Sequence, residues 1–425
     1  MKIYQIINKQ SISISDLKQL IKKEIPYKIG LEVYTLLENF LLSSINSITE
    51  LEKYLEIICD ICANTREIYG TNESIILYRN LIYKVESDFP EYQSVIHWAW
   101  IIISYANLLY ENCDYKQAII CVKNLLLYWP ESNINNKNSI IYCYLYNRLH
   151  VYKRALNKYV TSNSLEWLRK SEILQNTSEV EFLNLVDRGY CNYDCIKSKN
   201  KIIFYWESAC KIYEKNNILT KKVNYFYIKI RLHLFNKEWN AASKTIETAL
   251  STIEVKEEGT YYFTYFKQRY LICKIALLLL NYNSSKKNII DELFYEVETI
   301  NYILKSRMIY SIQFLKSIYC FYNKQYLDSF LCIQSSIDEL YKSKKLTFQN
   351  FYIEQIYENI DYFMANAFFD DVTNIDIKEL SNNNIIIRLK KIMKQSLEKN
   401  LNIIENHQCT GLLQSDDCKI NFPIL

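Results

Sequence analysis

Glycine and proline are nearly missing from this chain, with five and four residues in 425. Hairpins and barrels draw heavily on both, whereas helices joined by Asn, Ser and Lys need neither, so the scarcity argues against a sheet protein. Five glycines cannot build a phosphate-cradling loop, and neither GxxxxGK nor GxGxxG occurs. A GxSxG nucleophile elbow is missing too. The four histidines, His97, His150, His233 and His407, show no i, i+4 pairing with Glu or His. Charge of one sign is also lacking. Lys and Arg number 51 against 47 Asp and Glu, and a net +4 spread along the chain leaves no nucleic-acid footprint. The most apolar run, 271–280, carries Lys274 and is shorter than the roughly 18 residues of a membrane span, so it reads as a buried helix. No apolar leader with a small-residue cleavage site opens the chain, and a cytoplasmic protein is expected. The 13 cysteines are odd in number and irregularly spaced, which fits core thiols in a reducing compartment and not a disulfide framework. No motif demands a metal or organic cofactor, and no catalytic site is predicted.

Apolar residues at 49% and charged residues at 23% suit a folded globular chain. Residues 100–130 read WIIISYANLLYENCDYKQAIICVKNLLLYWP. Two helices approach to about 8–10 Å only where their crossing points carry small side chains. Ala106 and Ala118 supply those points, Tyr115 is the aromatic after the turn, and Pro130 terminates the unit. The stretch resembles a tetratricopeptide (TPR) repeat, a helix–turn–helix unit of roughly 34 residues.

The pattern recurs with varying fidelity. Residues 1–48 predict short helices, with Ser13 or Ser15 as a cap and Pro26 as a break. A DNA-binding helix-turn-helix is set aside there, because the third helix, LEVYTLLENFLL, has no base-reading polar face. The segment reads as an N-terminal helical cap. Helices are expected at 51–68 and 73–85. Cys59 and Cys62 lie inside the first, with no second pair to complete a metal site. Further helices are expected at 138–158 and 164–174. A repeat follows at 179–213, with Gly189 and Ala209 at small positions, and another at 226–250, with Trp239, Ala242 and Ala249. The pair 259–280 and 288–304 lacks the signature, which returns at 310–341 with Ser317, Tyr326, Ser329 and Ser336. Helices at 351–369 and 384–400, separated by the acidic loop 370–378, finish the array. The tail, 405–425, holds His407, Cys409 and Cys418 and reads as a partly ordered terminus. The expected architecture is all-α: a TPR-like right-handed superhelical solenoid of antiparallel helix pairs spanning 49–404.

Such a solenoid offers a concave surface lined by the first helix of each pair. In the first strong repeat the projecting positions are Trp100, Ile103, Asn107 and Tyr110, with Glu111 beside them. In the Trp239 repeat they are Asn224, Tyr227, Arg231 and Leu234. In the last they are Ser311, Phe314, Ile318 and Phe321, with Tyr322 beside them. An Asn amide can satisfy both backbone groups of an extended peptide, and aromatics supply apolar pockets. The candidate peptide-binding set is therefore Trp100, Asn107, Tyr110, Asn224, Tyr227, Arg231, Phe314 and Phe321. With 38 tyrosines in the chain, any one of them is equally an ordinary core residue.

A family resemblance joins this reading. The runs YQIIN from Tyr4, SDLKQLIKK from Ser15 and IPYKIGLEVYTLLENFLL from Ile25, then REIYG from Arg66 and YRNL from Tyr78, are similar in helix order to AimR-type receptors. These are phage lysis–lysogeny peptide sensors, within the wider TPR group that includes the Rap and PlcR types. The resemblance implies intracellular quorum sensing of a short peptide, bound in the groove and relayed by repacking of helices or by pairing of two chains. A DNA-binding head would precede Tyr4, where the sequence leaves no room for it, so direct nucleic-acid binding is not expected and a protein partner is. The alternative is a constitutive TPR scaffold or adaptor. A helical enzyme is the third class. No membrane partner is expected.

Overall fold

The computed structural model describes most of residues 71–342, with breaks at 90, 92–94, 113, 136–137, 158–159, 195–198, 219–220, 255–260 and 305–307. It also describes residues 47, 49–53, 55 and 56. The readings of the N-terminal cap, of Cys59 and Cys62, of the helices beyond 342 and of the tail lie outside these residues.

Every regular element among the described residues is helical. In chain order they are α1 (Thr71–Asp88), α2 (Ile96–Glu111), α3 (Tyr115–Tyr128), α4 (Ser139–Asn157) and α5 (Ser162–Leu174). There follow α6 (Ser178–Asp194), α7 (Lys199–Asn216), α8 (Lys222–Phe235) and α9 (Trp239–Glu254). The last are α10 (Tyr261–Leu280), α11 (Lys287–Leu304), α12 (Ile309–Tyr322) and α13 (Tyr326–Lys342). Two short 3-10 turns, Glu131–Asn133 and Ser284–Lys286, precede α4 and α11. None of the described helices is long and apolar enough to cross a membrane.

The chain divides into two compact units, the first holding α1–α3, α5 and nearly all of α4, and the second α7–α9, α11–α13 and most of α6 and α10. In the first, α2 packs against both α1 and α3. Its core takes in Trp98, Ile101 and Leu109 from α2, Val122 and Leu125 from α3, and Tyr142 and Tyr146 from α4. An aromatic file runs through it, Trp129 to Tyr142 at 6.1 Å, Tyr142 to Tyr146 at 6.2 Å and Tyr146 to Trp167 at 5.5 Å. The file's two hydroxyls are satisfied, Tyr142 donating to the Pro130 carbonyl and Tyr146 to Glu131. Buried tyrosines need such partners, because an unpaired buried hydroxyl costs about 1–3 kcal/mol. Thr161 and Ser164 start α5 with a reciprocal capping box.

Three hairpins share one local design: α2–α3 in the first unit, and α8–α9 and α12–α13 in the second. Each first helix closes with a backbone bond that reaches back five residues: Asp114 to Leu109, Glu238 to His233 and Gln325 to Cys320. In the latter two, Lys237 and Lys324 adopt left-handed φ of 59° and 61° and donate to Leu234 and Phe321. This is a Schellman closure with Lys at the position glycine usually takes. A chain so poor in glycine ends its helices this way at a cost of about 1 kcal/mol per site. The residue after the turn starts the second helix as an aromatic: Tyr115, Trp239 and Tyr326. Three residues on, Ala118, Ala242 and Ser329 have no exposed surface, as the close crossing requires.

Serine stands for alanine in the third hairpin and does more than fill space. Ser329 donates to the Ser317 carbonyl at 2.7 Å and Ser336 to the Tyr310 carbonyl at 2.7 Å, each bond joining α13 to α12. A fourth close approach lies between α6 and α7. A Cβ placed on Gly189 would sit 2.1 Å from the indole nitrogen of Trp206, so only glycine fits there.

Candidate functional site

The candidate residues distribute over both units, and each group stands by itself. In the first unit, Trp100 is half-buried and meets Tyr144 edge-to-face at 5.1 Å. Asn107 accepts a hydrogen bond from Tyr152 at 2.8 Å, so its amide oxygen already has a partner. Tyr110 stacks on Tyr152 at 5.3 Å and meets Tyr115 at 5.5 Å. Ile103 is buried. These side chains knit α2 to α3 and α4 and keep part of their surface open at Trp100, Asn107 and Tyr110.

In the second unit, Phe314, Ser311 and Ile318 have no exposed surface, and Leu234 is buried as well. The structure places Phe314 in the core of the α12 hairpin, because α12 is flanked by both α11 and α13. Phe321 is half-buried near Tyr322, which itself lies flat on Tyr282 at 5.1 Å. Asn224 is half-buried on α8.

Tyr227 and Arg231 come together with residues the sequence pattern did not single out. The Arg231 guanidinium, buried, lies 4.9 Å from the Trp206 ring, 5.2 Å from Tyr190 and 5.6 Å from Tyr227. Two helices on, in α10, the Arg269 guanidinium lies 4.8 Å from the same Tyr227, 4.5 Å from Tyr265 and 5.9 Å from Phe266. Tyr227 is thus shared between two cations. Arg269 also donates to the Tyr265 hydroxyl, while its Nε is buried without a hydrogen-bond partner among the described residues. No described carboxylate forms an ion pair with Arg269.

Desolvating a guanidinium is expensive, and each aromatic face returns only about 0.5–2 kcal/mol. The box therefore holds positive charge in an apolar frame with hydrogen-bonding capacity left on Arg269. Burial pushes the neighbouring Cys273 thiol up to about 12 despite both cations. It also drives the Tyr227 phenol well above its ordinary range, so both stay neutral beside the arginines. Chemically, the arrangement suits an anionic group, above all a carboxylate, whose planar geometry matches the guanidinium fork.

Arg269 was findable in the sequence. It stands between the buried Phe266 and Cys273 at helical spacing, a half-buried charged residue on their side of α10. Tyr190 and Trp206 carried no such signal, since aromatics abound throughout.

The described histidines lie elsewhere. His150 is buried with Nδ1 2.8 Å from the Ser164 carbonyl, and His233 Nδ1 is 2.6 Å from Glu238 at the α8–α9 turn. Among the described residues, no group of three His, Cys, Asp or Glu side chains is arranged to hold a metal ion. No family model matches the chain, and neither a curated protein nor a solved structure is significantly similar to it.

Proposed function

We propose that this protein is a peptide-responsive regulator with a TPR-like solenoid, and that a carboxylate of its peptide is read by Arg231 and Arg269. One observation carries the reading. Two guanidiniums share the Tyr227 ring inside an aromatic box, and the buried Nε of Arg269 has no partner among the described residues. A buried donor left unmade costs about 1–3 kcal/mol, more for a charged group, and a bound carboxylate removes that cost. The recurrence of one hairpin design at α2–α3, α8–α9 and α12–α13 supports the repeat reading. On this view the protein is a cytoplasmic sensor without catalytic machinery, akin to the AimR, Rap and PlcR types, and it relays the peptide signal to a protein partner or to a second copy of itself. Asn107, Tyr110, Trp100 and Phe321, all partly exposed, are further candidate contacts.

The test is a thermal-shift screen of the full chain against synthetic peptides of roughly five to ten residues, drawn from small reading frames beside its gene. A stabilising peptide is expected to lose its effect on C-terminal amidation or on Asp/Glu to Asn/Gln exchange, whichever carboxylate is read. It is also expected to lose affinity for Arg269→Gln protein. A peptide that binds equally well to R269Q, or no response to any peptide, contradicts the reading.

A scaffold function is the second reading. On α11, Tyr295 and Tyr302, seven residues apart and so on one face, are 76% and 85% exposed. Constitutive capture of a protein partner that is abolished by Tyr295→Ser with Tyr302→Ser, and indifferent to R269Q, would favour it.

A further inference from the structure

In the first unit, two side-chain rungs join α2 to α4. Trp100 meets Tyr144 edge-to-face at 5.1 Å, and Tyr152 donates to the Asn107 amide oxygen at 2.8 Å. The second rung lies about two turns beyond the first on each helix, so α2 and α4 run in the same direction. Arg148 stands midway between Tyr144 and Tyr152, one turn from each, and so projects on the same side of α4 between the rungs. On α2, Trp100, Ser104, Asn107 and Glu111 form one half-buried stripe at helical spacing, and Tyr144 and Arg148 are half-buried as well. We infer that this stretch is a second binding site, in which Arg148 and the Asn107 amide take a glutamate or aspartate side chain of an extended peptide.

Two donors there have nothing to hold. The Arg148 Nε is buried without a hydrogen-bond partner, and among the described residues its guanidinium makes no hydrogen bond or ion pair. Asn107 gives its amide oxygen to Tyr152, which leaves its amide nitrogen unpaired among the described residues. The neighbouring carboxylates are already engaged, Glu179 accepting from Tyr144 at 2.6 Å and Glu111 from Thr71 at 3.4 Å. They temper the positive charge of the site without pairing with it. A buried charged donor left unmade is costly, and an incoming carboxylate removes that cost. The cation also acts on both rungs: burial drives the Tyr144 and Tyr152 phenols upward, and Arg148 opposes the rise in each.

Spacing selects an extended peptide over a small carboxylate. One turn of α4 advances about 5.4 Å, and alternate residues of an extended chain recur at about 6.6 Å. A chain laid along α2 and α4 therefore sets one side chain at Arg148 and the next but one against Trp100 and Tyr144. The planar guanidinium fork matches a carboxylate, and the Asn107 amide donates to the same group or to a backbone carbonyl beside it. The open edge of the Trp100–Tyr144 pair suits an apolar or aromatic side chain. This site lies in the first unit and Arg231 and Arg269 in the second. It shares with the proposed function only the peptide as ligand, and it stands whether or not the aromatic box binds one.

The experiment uses the full chain and a pentapeptide capped at both ends, with glutamate at its centre and an aromatic residue two places to either side. One of the aromatics is p-benzoylphenylalanine, and capping leaves glutamate as the only charge. Irradiation followed by peptide mass spectrometry maps the contact. Cross-links to the α2 and α4 segments are expected, about tenfold weaker with the glutamine twin of the peptide and with Arg148→Gln protein, as loss of a charge-assisted bond dictates. They should be unchanged in R269Q. Cross-links on these helices that ignore both exchanges, cross-links only elsewhere, or none at all would overturn the assignment. Cross-links that map to α8 and α10 and vanish in R269Q would support the aromatic box and sink this site. The wild-type comparison of the two peptides decides even if R148Q folds poorly.

Discussion

Replacing Gly189 by alanine tests whether the α6–α7 approach is as close as the structure places it. The added methyl would lie 2.1 Å from Trp206 Nε1 and 2.3 Å from its Cδ1, far inside van der Waals contact. Trp206 is among the largest fully buried side chains, so the indole cannot swing into solvent. Forcing a methyl into a packed core costs about 1–3 kcal/mol, and alanine returns about 0.5–1 kcal/mol of helix propensity. The net expectation is a loss of about 1–2 kcal/mol, read as a lower denaturant midpoint with an unchanged slope. Because Trp206 is the ring closest to Arg231, the displacement should also alter Trp206 fluorescence and weaken any peptide response. G189A protein as stable as the parent, or more so, would refute the close approach and the frame of the aromatic box with it.

Two further outcomes follow from the same geometry. Lys237→Gly and Lys324→Gly relieve left-handed backbone at two helix ends and should each stabilise the fold by about 0.5–1 kcal/mol in chemical denaturation, whereas a loss would mean that these lysines hold contacts worth more than the strain. In acid, Glu131 and Glu214 are held below the usual carboxylate range, chiefly by hydrogen bonds from Lys170 and Lys229 and next by those from Tyr146 and Tyr225. A depressed carboxylate contributes stability above its unfolded value of about 4.3, and that contribution is lost as pH falls through the folded value. Both carboxylates are about half exposed, so the decline should be shallow, and Glu131→Gln with Glu214→Gln should flatten it further. In alkali, burial and then the bond to Glu214 push the Tyr225 phenol up to about 12. Its contribution is complete below about 10 and is lost as pH rises toward the folded value, so Tyr225→Phe should flatten the alkaline limb of a pH–stability curve.

The helical class was legible because apolar spacing at 3.6 residues and the scarcity of glycine and proline point the same way. The expected helices at 73–85, 138–158 and 288–304 match α1, α4 and α11 to within a few residues. The small positions were legible for a steric reason: Ala106, Ala118, Ala242, Ala249 and Ser317 each have no exposed surface. Side-chain direction was harder to read. Counting positions along a first helix placed Phe314 beside Phe321 in one groove, yet Phe314 is wholly buried and Phe321 half-exposed. A helix packed on two sides has no single open face, and a repeat register cannot say which neighbours arrive. The aromatic box was half visible: Tyr227 and Arg231 came from the register, whereas Tyr190 and Trp206 reach them from α6 and α7, through contacts distant in sequence.

The most direct test of the central claim is hydrogen–deuterium exchange of the full chain with and without a stabilising peptide. Slowed exchange in the α8 and α10 segments that carry Tyr227, Arg231 and Arg269, absent in R269Q, is the predicted result. Protection confined to other helices, or protection that survives R269Q unchanged, would contradict it.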